Sequence, residues 1–170
     1  MSQLDIQIAV EADGWADETA LEALALRVLG VAETYMAAKE SQPFPKQPTE
    51  VSLVFGDDDM IREINAEWRD KDKPTNVLSF PMLEREELEG LAPEGPPEML
   101  GDIALAYETC AREAEEKGVA LEAHATHLIV HGLLHLAGHD HVDSDEQAEA
   151  MEQLETRILA KLGIADPYGA

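Results

Sequence analysis

The chain has 170 residues, 45% of them apolar, which suits one domain (residues 1–170) with a real core. Its formal net charge of −24 argues against broad non-specific attraction to nucleic acid, so RNA could be approached only through a local basic patch. No stretch reaches the ~18 apolar residues of a membrane span, the start "MSQLDIQIAVEADGW" shows no signal-peptide pattern, and a single cysteine, Cys110, excludes an intramolecular disulfide. Together these predict a cytoplasmic protein.

Alternation in "LDIQIAV" (Leu4, Ile6, Ile8, Val10) predicts a half-buried strand. "DETALEALALRVLGVAETYMAA" places apolar residues at helical spacing behind Asp17 and Glu18, and reads as an amphipathic helix. "SQPFPKQP" is a proline-rich loop, "EVSLVFG" a second strand, and "DDDMIREINAEWR" a helix with acids at its favoured end. "NVLSF" is a third strand, stopped by Pro81. Residues 83–98 hold six acids, three prolines and two glycines and read as an exposed loop. "LGDIALAYE" is a fourth strand and "TCAREAEEKG" a helix ended by Gly118. "LEAHATHLIVHGLLHLAG" is a largely apolar helix ended by Gly138. "SDEQAEAMEQLETRILAKLG" is a last amphipathic helix, with Ser144 as N-cap and Gly163 as stop. The order is mixed, without strict βα alternation. It predicts an α+β domain in which a four-stranded mixed sheet packs with about five helices, around a buried, central, metal-bearing helix.

That helix carries the chemistry. "HGLLHLAGHDH" holds four of the six histidines. At about 100° per residue, His124, His127, His131 and His135 line one face. His131 and His135, at i and i+4, bring two imidazoles within reach of one ion. The break at Gly138 lets His141 return to the same point. Three nitrogen ligands with a fourth position open is the pattern of catalytic zinc, one Zn2+ per chain, although three imidazoles also bind nickel. His124 and His127 lie further back and read as supporting or structural. Gly132 stands where zinc peptidases of the H-E-x-x-H kind carry their glutamate base, so a peptidase is disfavoured. The glycine would instead permit close approach of another chain or of substrate.

A second constellation is "WRDKDKPTNVLSFP". Arg69, Lys71 and Lys73 put three of the twelve basic residues within five positions. They would bind phosphate, or form an ordinary charged loop partly cancelled by Asp70 and Asp72. Trp68 is a base-stacking or core residue. Asp102, in "LGDI", would orient a ligand histidine or serve as a turn residue; Asp140 and Asp143 are candidates for the same work.

The blocks "HATHLIVHGLLHLAGHDH", "NAEWRDKDKPTNVLSFP", "LGDIALAYE" and "KLGIADPY" resemble the bacterial YbeY family over roughly residues 50 to 168. The chain departs from many members at His139, where tyrosine is frequent, and at Asn76, where aspartate is. The resemblance implies a zinc-dependent, single-strand-specific endoribonuclease of ribosomal RNA maturation, notably at the small-subunit 3′ end, and of ribosome quality control. It implies metal ligands at His131, His135 and His141, a functional arginine at Arg69, and matching positions at His124 and His127. The expected partners are single-stranded and ribosomal RNA, with ribosomal proteins or assembly factors, and neither membrane nor DNA. Two rival readings are a non-catalytic, metal-stabilised ribosome assembly factor and a zinc hydrolase of another bond, such as a peptidase or amidase.

Overall fold

The computed structural model describes residues 4–12, 14–15, 17–37, 49–69, 75–81, 98–136 and 145–164. The elements, in chain order, are β1 (Leu4–Val10), α1 (Glu18–Ala37), β2 (Thr49–Gly56), α2 (Asp58–Arg69), β3 (Val77–Pro81), β4 (Glu98–Ala106), α3 (Tyr107–Lys117), α4 (Leu121–Leu136) and α5 (Asp145–Lys161). The sheet runs β1-β2-β4-β3. β1 and β4 are parallel to β2, and β3 is antiparallel to β4, so the sheet is mixed, as expected.

Its two faces bury different residues because strand side chains alternate. Val51, Leu53, Phe55, Ile103 and Leu105 pack with Leu21, Ala25, Val28 and Leu29 of α1, with the apolar residues of α4, and with Leu154, Ile158 and Leu159 of α5. On the other face a smaller cluster joins Leu78, Ala104 and Ala106 to Ile61 of α2. α4 therefore sits in the main core, as its nearly all-round apolar sequence requires.

Local polar groups set the helix starts. Asp17 accepts the Ala20 N–H at 2.9 Å, and Asp57 accepts the Met60 N–H at 2.8 Å, each capping the helix that follows. One boundary differs from expectation: β4 ends at Ala106 rather than running through Glu108. Asp58, in the first turn of α2, accepts both the Thr109 N–H (3.0 Å) and its hydroxyl (2.8 Å). Glu108 in return accepts the Asp58 N–H at 3.0 Å. This reciprocal capping satisfies orphan donors in the first turns of two helices at once and starts α3 early. Gly118, in the left-handed region at φ 68°, closes α3 as expected. Pro81 falls inside β3 rather than after it, which the strand tolerates because its ladder partner is β4 alone among the described strands. The expected loop "SQPFPKQP" and residues 83–97 lie outside the described residues, as do Gly138 and Ser144; Glu98 begins β4.

Two glycines set how closely α4 meets the sheet. A Cβ on Gly132 would lie 3.0 Å from Ile103 Cδ1, so this glycine faces β4. A Cβ on Gly101, at φ 153°, would lie 2.3 Å from the Phe80 carbonyl oxygen and 2.6 Å from Leu136 Cδ2. A larger residue at either point would push the helix off the strands or the strands apart.

Candidate functional site

α4 is continuous from Leu121 to Leu136, so its backbone keeps His124, His127, His131 and His135 on one face. The rings of His124, His127 and His131 form a row, with centroids 6.3 Å apart for the first pair and 6.5 Å apart for the second. Side-chain exposure rises along it, from 2% at His124 to 12% at His127 and 27% at His131. The row thus leads from the core outward toward the C-terminal end of the helix, where the expected ligands cluster.

Facing it is a residue that sequence reasoning missed. Glu155 of α5 has a side chain with 0% exposure. Its Oε1 hydrogen-bonds His131 Nδ1, and its Oε2 lies 3.7 Å from His127 Nε2. A carboxylate buried this completely must be compensated by charge or hydrogen bonds, and here two imidazoles face it. With a carboxylate on Nδ1, the His131 ring is fixed in orientation, and in the neutral imidazole Nε2 is the lone-pair nitrogen, the one a metal would use. One signal was present in the sequence. Glu155 falls on the same helical stripe as Leu154, Ile158, Leu159 and Leu162, which are all buried. An acid on an apolar stripe is out of place unless it has a partner.

Asp102, expected to orient a ligand histidine or to serve as a turn residue, lies within β4. Its strand neighbours Gly101 and Ile103 face α4, so alternation turns Asp102 to the other face of the sheet, where it is exposed. The carboxylate that meets His131 is that of Glu155. The close approach that Gly132 permits is that of Ile103.

His124 belongs to a second, separate carboxylate. Its Nε2 donates to Glu113 Oε1 of α3 at 2.8 Å, and Asn76 Nδ2 donates to the same oxygen at 3.0 Å. Burial pushes the Glu113 carboxyl up, but the hydrogen bonds from His124 and Asn76, with the charges of His124 and Lys117, outweigh it and hold the group below its ordinary value. Beside it, burial first and the Glu113 charge second push the Cys110 thiol up to about 12.

Arg69 is the last residue of α2. The side chains of Trp68, Arg69 and His135 lie outside the described residues, as do Asp70, Lys71, Asp72, Lys73, His139, Asp140, His141 and Asp143 entirely. Among the described residues, no group of three His, Cys, Asp or Glu side chains is placed to hold a metal ion; of the three expected ligands, His131 alone has a described side chain. No described helix is long and apolar enough to cross a membrane.

Comparison with known proteins places this geometry in context. The family described as endoribonuclease YbeY matches residues 8–163, which extends the likeness well into the amino-terminal quarter. A protein named endoribonuclease YbeY from Erythrobacter litoralis is 77% identical over 120 residues, covering 71% of this chain and 74% of that one. Proteins of the same name from Agrobacterium fabrum and Sinorhizobium fredii are 59% and 56% identical, each over 99% of this chain and over 96% and 94% of their own. A Thermotoga maritima protein solved in solution superposes with a TM-score of 0.58 at 23% identity, over 97% of this chain and 99% of that one, and shares its fold.

Proposed function

This chain belongs to the YbeY endoribonuclease family, and we propose that it is a metal-dependent endoribonuclease that cuts single-stranded RNA during ribosomal RNA maturation in the cytoplasm. The observation that carries this reading is the buried Glu155 on His131 Nδ1. A carboxylate behind an imidazole is the usual support of a metal-ligating histidine. The donor set fits zinc: His131, His135 and His141 would hold it, leaving a position open. When bound, Zn2+ supplies Lewis acidity, bringing the ionisation of water toward neutral pH and offsetting negative charge on a phosphate.

The chain's own residues do the rest. Glu155 fixes the His131 ring and makes it a stronger donor. Gly132 lets α4 lie close on β4, which sets the depth of the site. Arg69 holds the scissile phosphate by two parallel N–H bonds and stabilises charge that develops on its oxygens. Lys71 and Lys73 bind neighbouring phosphates. With a net charge of −24 overall, repulsion by the acidic surface confines RNA to this one basic stretch.

The test is the metal content of the purified protein and of a His135→Ala variant, with both assayed on single-stranded RNA. One zinc per chain, lost in the variant together with cleavage, is the expected result. A folded, zinc-loaded wild type that leaves RNA intact would overturn the reading in favour of an assembly factor without catalysis. RNA binding that does not weaken as salt rises would refute the phosphate contacts.

A further inference from the structure

The two carboxylates beside the histidine row have different work. Glu155 serves the outer histidines; Glu113 lies at the buried end, at His124, seven residues and ~10 Å of helix from His131. Its Oε1 gathers two donors, His124 Nε2 from α4 and Asn76 Nδ2 from the residue before β3. Asn76 is held by its backbone too. Its carbonyl accepts the Ala106 N–H at 3.0 Å and the Cys110 thiol at 3.5 Å. The start of α2 is fastened to the same helix, through Asp58 and Thr109. α3 therefore grips both the first turn of α2 and the start of β3. Between these two points the sequence carries Arg69, Lys71 and Lys73. From α3, Glu113 reaches His124, whose side chain is only 2% exposed and belongs to the histidine helix.

We propose that Glu113 is a positioning residue: by holding Asn76 and His124 on one carboxylate oxygen, it sets the register between the basic stretch and the histidine site on α4. The inference rests on the endoribonuclease reading above. Its consequence is chemical. The phosphate held by Arg69 must meet the hydrolytic centre within a fraction of an ångström, and displacement by ~1 Å is enough to lower turnover ~100-fold. Binding of RNA through the charge of these cations is far less sensitive to such a shift.

The test uses the full, zinc-loaded chain and three variants: Glu113→Ala, Glu113→Gln and Asn76→Ala. A glutamine at 113 still offers one oxygen to both donors, so Glu113→Gln keeps most of the turnover. Glu113→Ala lowers kcat by ~10–100-fold, while zinc content and the Kd for a single-stranded RNA oligonucleotide change by less than about twofold. Asn76→Ala removes one of the two donors and lowers kcat in the same direction. An unchanged kcat in folded Glu113→Ala, with the effect confined to Tm, overturns the proposal. So does a Glu113→Gln variant that loses as much turnover as Glu113→Ala. If the wild type leaves RNA uncut, the endoribonuclease reading fails, and the tie is judged by hydrogen exchange at the Ala106 N–H. Its protection falls ~10-fold or more in Glu113→Ala and stays near that of the wild type in Glu113→Gln. Unchanged protection overturns the tie as well.

Discussion

Gly132→Ala offers a strong test of how the histidine helix is seated. The substitution removes a glycine from a helix interior, which by propensity alone stabilises by about 1 kcal/mol. Packing opposes this. The new Cβ would lie 3.0, 3.2 and 3.3 Å from Cδ1, Cγ1 and Cγ2 of Ile103, a residue with 0% exposure in the middle of β4. All three contacts are to one branched side chain held between strand and helix, and overpacking of this kind costs about 1–3 kcal/mol. The net expectation is a loss of about 1 kcal/mol, or a Tm lower by about 2–4 °C for a chain of this size. Thermal unfolding followed by circular dichroism reads it directly. Ile103→Val supplies the control, because it deletes Cδ1, the nearest of the three atoms. Alone it costs about 0.5–1.5 kcal/mol. Combined with Gly132→Ala it should cost less than the sum, with a coupling of at least about 0.5 kcal/mol. A Gly132→Ala variant with a raised Tm, or two strictly additive effects, would refute the claim that this glycine exists to seat α4 on β4.

Glu155→Ala should weaken zinc binding about 10–100-fold, and Glu155→Gln less, as read by competition with a chromogenic chelator; equal affinities would deny Glu155 its orienting role. The Glu113 carboxyl is held below its ordinary value, so its contribution to stability is fully present above about pH 4.5 and is lost as pH falls through the lower folded value. The Tm difference between wild type and Glu113→Gln should therefore shrink in acid, and a difference constant from pH 7 to pH 3 would contradict this. Cys110, buried and with its thiol pushed up to about 12, should resist iodoacetamide at pH 8 in the folded protein and react only after denaturation.

The sequence by itself determined the parts whose signal is local. Periodicity marks α4 and the strands to within a few residues, because a helix face and a strand face repeat at fixed intervals along the chain. The spacing of His124, His127, His131 and His135 placed four imidazoles on one face before any packing was known. A sequence pattern cannot say which distant residue faces that stripe. Glu155 meets His131 across 24 positions, and Glu113 meets Asn76 across 37; both pairings depend on how α5 and α3 dock. Asp102 shows the same limit from the other side. Its place in a strand was legible, but the face it occupies depended on which neighbours turned toward α4. Gly101 and Ile103 did, and one step along a strand reverses the direction of a side chain. The early start of α3 is a further case, since the Asp58 carboxylate that caps it comes from another helix. Residue type and spacing thus determined what chemistry the chain could offer. Tertiary packing decided which carboxylate stands behind which histidine, because a buried charge takes its partner from whatever the fold brings within hydrogen-bond reach.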